Sequence, residues 1–250
     1  MDFERNPTEA GWLIAQNPEL MLAVARKGAS DRRLRLAAVA CCRAAWPHLP
    51  PYPAEDARDA ECLALLELAE RYADGTAKYG EMMAARRALA GTGVPRGGPP
   101  GRKIPAVWWA SAKDPYEPCL SVVFHLLDSS WRGRDELEMN WLKVEFGYLG
   151  HGRQTAGDWM AACTALVAVA RDVFGNPFRK VKFDKKWRTD TAVALARQMY
   201  DSRDFSAMPI LADALQDAGC DNEDILTHCR DTAARHARGC WVCDLVLGKT

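Results

Sequence analysis

The run SDRRLRLAAVACCRAAW (residues 30–46) decides the fold class. Ser30 is a residue type that opens a helix, because its hydroxyl accepts a hydrogen bond from an orphan backbone N–H of the first turn. Behind it Leu34, Leu36, Val39, Ala40 and Trp46 supply a wide apolar face at helical spacing. The pattern holds until Pro47, where Pro47, Pro50, Pro51 and Pro53 break it.

The same texture continues on both sides. Upstream, Thr8 caps a short helix holding Trp12, Leu13 and Ile14, and Asn17-Pro18 reads as a cap followed by proline at the first helical position. Downstream, Cys62, Leu65, Leu66 and Ala69 recur at helical spacing over about 54–73, and Met82, Met83 and Leu89 over about 79–90. Residues 91–105 read GTGVPRGGPPGRKIP, a density of Gly and Pro that no helix survives. Helical text resumes near Pro118, again over Trp131–Phe146, and behind Asp158 through Val169. Val181 and Phe183 alternate with lysines, which suits a short extended segment. Thr189, Ser206 and Asp221 or Asn222 then open three more helices. The reading is all-α: irregular multi-helix packing in two helical subdomains, 1–90 and 106–250, joined by the 91–105 loop.

Composition narrows the class. The 250 residues carry 33 basic and 33 acidic side chains and are 48% hydrophobic. Balanced charge excludes a body-wide polycation for nucleic acid or membrane, and the hydrophobic content argues against disorder. The opening MDFERNP lacks a signal-peptide core, and the longest apolar stretch, 161–170, is too short for a bilayer. A cytoplasmic protein with reduced thiols is expected, and no membrane partner. Of nine cysteines, Cys41, Cys42, Cys62 and Cys163 lie in helical, Ala/Leu-rich text and read as small buried hydrophobes. Cys119 stands alone, and four crowd the last thirty-one residues.

The blocks EAGWL (9–13), KGASDRRLRLAAVACCRAAW (27–46), LAERYADG (68–75), RDVFGNPF (171–178), PILADALQDAGC (209–220), ILTHCR (225–230) and HARGCWVCDLVLGK (236–249) carry a resemblance. Together they resemble a family of bacterial paralogues of uncharacterised activity, best represented in planctomycetes. The likeness covers the chain except about 91–157. It implies a helical cytosolic protein and names no substrate. Cys243 stands where that pattern has an aliphatic residue, which argues against a family-wide role for this thiol.

Three constellations could carry chemistry. The first is the C-terminal Cys/His cluster, where Cys220, His228, His236 and Cys240 form a Cys2His2 candidate set for zinc. Zinc takes four such donors at roughly 2.0–2.3 Å in a tetrahedron. The alternative is buried thiols and histidines satisfied within the core. The second is Asp213 and Asp217, four apart on one helix face, with Arg235 and Arg238 as expected ion-pair partners. The third is the basic run Arg179, Lys180, Lys182, Lys185, Lys186 and Arg188, interleaved with Phe183 and Trp187. Basic residues with aromatics can hold single-stranded nucleic acid, or the rings can anchor a loop with the lysines solvated. His125 reads as a core histidine and His151 as exposed. The sequence has no GxSxG, HExxH, Walker or dinucleotide-binding motif that would name a reaction. With nine tryptophans on a helical scaffold, the leading expectation is a non-catalytic protein-interaction or regulatory module with a protein partner and no cofactor. A zinc protein, structural or hydrolytic, and a nucleic-acid accessory are the alternatives.

Overall fold

A computed structural model describes residues 6–49, 58–91, 106–107, 110–115, 122 and 156–249. Residues 92–105, most of the helical text expected between 118 and 146, Cys119, His125 and His151 lie outside the described residues. Ten α-helices are defined among the described residues, and no strand. They are α1 (Glu9–Ile14), α2 (Pro18–Ala25), α3 (Asp31–Ala45), α4 (Asp59–Ala73), α5 (Tyr79–Gly91), α6 (Ala156–Phe174), α7 (Asp190–Ser202), α8 (Met208–Asp217), α9 (Glu223–Arg230) and α10 (Trp241–Leu247).

Five of the ten helix starts follow from a side-chain cap. Thr8, Asn17, Ser30, Thr189 and Asn222 each accept a hydrogen bond from the backbone N–H three residues on. Two starts differ from the sequence reading. Helix α6 begins at Ala156, so Asp158 sits in its first turn, where a negative charge suits the helix dipole. Helix α8 begins at Met208 behind Ala207, with no side-chain cap. The N–H of Ser206 is instead held in a turn by Asp204 Oδ1 at 3.0 Å, and Pro209 occupies the first helical turn, where its missing N–H costs nothing. The segment around Val181 and Phe183 is irregular rather than a strand.

The buried apolar residues fall into two clusters. The first is organised by α3, which packs on both α4 and α6, while α2 packs on α6 and α5 on α4. Leu34 to Cys42 are buried without a break, Arg35 included. The charge of Arg35 is met by the carbonyl oxygens of Ala112 and Lys113, and its guanidinium lies 4.9 Å above the Tyr72 ring. Cys41, Cys42, Cys62 and Cys163 are all buried in this core, as their surroundings in the sequence suggested. The second cluster is built by α7, α8, α9 and α10 with Trp187. The first core draws residues from both sides of 91–105, and the two clusters part at the irregular segment after Phe174.

Between the two cores runs a polar seam. Glu70, near the end of α4, accepts hydrogen bonds from Arg43 (2.9 Å), Arg203 and Arg238. Asp74 accepts from Arg32 (3.0 Å), the Tyr200 hydroxyl (2.9 Å) and Lys249 (3.2 Å). Arg32 also grips Asp244 of α10 with two bonds of 2.6 and 2.9 Å. Among the described residues no helix is long and apolar enough to cross a membrane.

Candidate metal centre

The last turn of α6 brings an acid into this seam. Val169, Ala170, Val173 and Phe174 pack in the first core, and Asp172, buried beside them, faces off that side of the helix toward the second half. Its side chain is 3% exposed. Across the seam, Asn222 caps α9 and Ile225 and Cys229 anchor it in the second core, which sets His228 beside them. The loop 231–240 then returns toward α6. It carries His236 and ends on Cys240, whose thiol is fully buried at the start of α10.

Two glycines permit this approach. Gly239 has φ +95°, and a Cβ there would meet Leu36 Cβ of α3 at 3.0 Å. Gly175 follows α6 with φ +65°, and a Cβ there would meet the Trp241 ring at 3.2 Å. Both positions need a left-handed backbone and a close contact that any other residue would disturb. Trp241 in turn packs 5.2 Å from His228, and the His228 and His236 rings meet edge to face at 4.9 Å.

Four donor atoms converge here: Asp172 Oδ1, His228 Nε2, His236 Nδ1 and Cys240 Sγ, all within 4.8 Å of one another. His236 Nδ1 is 2.7 Å and His228 Nε2 is 3.3 Å from Asp172 Oδ1. Cys240 Sγ is 3.2 Å from His228 Nε2 and 3.9 Å from His236 Nδ1. A tetrahedron with bonds of about 2.0 Å to nitrogen and oxygen and about 2.3 Å to sulfur has edges of roughly 3.3–3.6 Å. The observed separations bracket that range. The second carboxylate oxygen, Oδ2, accepts the Ala237 N–H at 2.8 Å, which fixes the carboxylate with Oδ1 facing the histidines.

Electrostatics favours a dication at this point. Burial alone would raise Asp172, but its hydrogen bonds to His228 and His236 outweigh that and hold it below the ordinary carboxylate value. Burial alone would lower the imidazoles, yet contacts with Asp172 and Cys240 carry His228 up to about 9 and His236 to about 10. Burial and a hydrogen bond with Cys243 push the Cys240 thiol well above its usual range. Without a cation the two imidazoles therefore hold their protons more tightly than usual beside the Asp172 carboxylate. A divalent ion is balanced by one carboxylate and one thiolate, with both imidazoles neutral. His236 Nε2 is buried with no partner among the described residues. Bound through Nδ1, that ring carries a neutral N–H there, which costs less to bury than an imidazolium's.

Three of the four zinc candidates read from the sequence are thus brought together, and one is corrected. Cys220 is a core thiol of the second cluster, held at the end of α8 by its N–H bond to Leu215 O at 2.9 Å, and it is not among the converging donors. Asp172 takes the fourth place. The sequence held only a local signal for it: an acid three residues after Val169, near the end of an otherwise apolar helix. Cys229 and Cys243 are buried in the second core, and Cys243 donates to Met208 Sδ at 3.7 Å.

The acidic pair departs from expectation, and the basic run takes the second of its two readings. Asp213 pairs with Arg230 (3.3 Å) rather than with Arg235 or Arg238. Arg238 donates to Tyr200 O (2.6 Å) and to Glu70, with Asp201 3.9 Å away. Asp217 and Arg235 form no ion pair among the described residues. The reason is the chain's course: loop 231–240 turns toward α4 and α6, away from the exposed face of α8. In the basic run, Arg179 is held by Glu9 and Asp224, Arg188 donates twice to Leu245 O (3.0 and 2.9 Å), and Lys186 pairs with Asp184. Trp187 is 7% exposed in the second core, and Phe183 packs edge-on against it at 5.4 Å. Both rings anchor the segment, while Lys180, Lys182 and Lys185 remain exposed.

The fold and site define an all-helical protein with a buried four-donor cluster at the junction of two cores. No protein-family model, curated protein or solved structure matches the chain.

Proposed function

We propose that this is a zinc-holding helical protein whose metal is structural, bound by Asp172, His228, His236 and Cys240. The observation that supports this best is how the imidazoles are used. A catalytic Cys–His–Asp relay needs the thiol on one ring nitrogen and the carboxylate on the other. Here His228 turns the same nitrogen, Nε2, toward both Cys240 and Asp172, and His236 turns the same Nδ1 toward both. Donors aimed at one shared point are the arrangement a coordinated ion requires.

The donor chemistry selects the ion. A thiolate disfavours magnesium, calcium and manganese, and two imidazoles with a carboxylate suit zinc better than copper(I). Four protein donors fill a tetrahedron and leave no position for a substrate or an activated water, which favours a structural over a hydrolytic role.

The test is the metal content of protein purified without added metal, followed by cobalt(II) exchange. About one zinc per chain, and a cobalt derivative with tetrahedral ligand-field bands and a thiolate-to-cobalt charge-transfer band, are expected. A chain that binds neither ion stoichiometrically overturns the reading.

A further inference from the structure

Resting on that reading, we propose that the metal controls whether the two halves of the molecule stay docked, so that metal release opens the seam between them. The donors are divided between the halves. Asp172 belongs to α6, which packs in the first core, whereas His228, His236 and Cys240 all belong to the second half. An ion held by all four is a bond across the seam. An ion held by three is a ligand of the second half alone.

The rest of the seam is of a kind that lets go. The two apolar cores are separate clusters, so no continuous apolar core joins the halves. Apolar contacts across it are local, Ala237 against the first core, Gly239 against Leu36 and Gly175 against the Trp241 ring, and the rest is polar: Glu70 to Arg203 and Arg238, Asp74 to Lys249 and Tyr200, Arg32 to Asp244, and Arg179 of the connecting segment to both Glu9 and Asp224. Polar interfaces between units of one chain allow relative motion by default, and partly exposed ion pairs weaken with salt. The connecting segment, 175–184, has no regular secondary structure and exposes Arg179, Lys180 and Lys182.

Coupling then follows from linkage. If the docked state offers four donors and the undocked state three, the metal shifts docking by the ratio of its affinities for the two sets. Loss of one ligand in four lowers affinity at least as much as loss of a group that merely orients a ligand, about 10–100-fold. By reciprocity, whatever separates the halves loosens the metal by the same factor.

The experiment uses the full chain at near-physiological salt, zinc-loaded and chelated. The readouts are the trypsin cleavage rate at Arg179, Lys180 and Lys182 and the radius of gyration in solution, with circular dichroism to verify that helices persist. Chelation is expected to raise cleavage at least tenfold and to enlarge the radius while helicity is kept, and added salt should widen the gap. In Asp172→Asn, which leaves the three donors of the second half in place, added zinc should bind weakly and fail to restore protection. Should Asp172→Asn not fold, zinc titration of the native chain decides instead, because protection must follow metal occupancy. Stoichiometric cobalt binding with cleavage and radius unchanged by chelation would overturn the docking proposal and leave the metal site standing. Absence of metal binding would remove both.

Discussion

Asp172 Oδ1 and His236 Nδ1 lie 2.7 Å apart across the seam, while Asp172 Oδ2 is occupied by the Ala237 N–H at 2.8 Å. One carboxylate thus holds a histidine and the backbone next to it, so the loop 231–240 is registered on α6 by two bonds to a single side chain. The carboxylate is both donor and positioning element, and its removal should do more than subtract a ligand. Asp172→Ala is expected to lower zinc affinity by at least about 10–100-fold and to destabilise the metal-free chain as well, because it leaves the Ala237 N–H unpaired. Cys240→Ala should cause a comparable loss of zinc with less cost to the metal-free chain. Competitive zinc titration and denaturant unfolding of each metal-free variant separate the two effects, and equal unfolding midpoints for the two would count against the positioning role.

Stability should respond to pH in opposite directions with and without metal. In the metal-free protein His228 is raised to about 9 and His236 to about 10. A base raised above its unfolded value of about 6.5 stabilises the fold fully below that value, and the contribution is lost as pH climbs through the folded value. Metal-free protein should therefore weaken between about pH 7 and about pH 10. In the loaded protein protons compete with zinc for the same donors, so stability should rise over the neutral range and fall toward acid. Thermal unfolding across this interval, with and without chelator, should give slopes of opposite sign. Parallel slopes would mean that the four groups do not share an ion.

The helices were legible because caps and apolar spacing are local signals: Thr8, Asn17, Ser30, Thr189 and Asn222 act where their sequence context places them. The site was only partly legible. His228, His236 and Cys240 lie within thirteen residues, so their proximity shows in the text. Asp172 is fifty-six residues before His228, and only the packing of α6 against the second half joins them. Cys220 drew notice by residue type, yet its side chain is spent on the apolar contacts of α8 and α9. Residue type and spacing report candidates, and direction in space selects among them. Arg238 teaches the same point, since its partner Glu70 is distant in sequence and belongs to the other core.

Gly239 should tolerate no side chain. Its φ of +95° strains any other residue, and a Cβ would press on Leu36 Cβ at 3.0 Å, within the buried stretch Leu34–Cys42 of α3. Gly239→Ala is expected to cost roughly 2 kcal/mol or more in unfolding free energy. It should also weaken zinc, because Cys240 is the next residue. Gly219 is the comparison: its φ is also positive, at +86°, but nothing lies within 4 Å of the Cβ position. Gly219→Ala should cost only the backbone strain, about 1 kcal/mol, and leave zinc affinity unchanged. Denaturant unfolding and zinc titration of the two variants make the comparison, and equal costs would show that the contact with Leu36 is not a constraint.

The Arg32–Asp244 pair should behave as a buried unit. Asp244 is fully buried and receives two bonds from a guanidinium that is itself largely enclosed. Burial raises the Asp244 carboxyl above its ordinary value even against the pull of Arg32, so this charge is tolerated because of its partner. Arg32 also bonds Asp74 and the Tyr200 hydroxyl, so its loss leaves three groups short. Breaking such a pair from one side costs roughly 3–5 kcal/mol, mostly through the charge left uncompensated. Arg32→Met is expected to fall in that range. Asp244→Asn should cost less, since its amide keeps one acceptor for Arg32 and introduces no buried charge. The double variant should cost clearly less than the two single costs added together. A double-mutant cycle by urea unfolding measures the coupling directly. Additive costs would mean that Arg32 acts through Asp74 and Tyr200 instead, and that α10 is fixed to the first core chiefly by Lys249 and the cluster at Asp172.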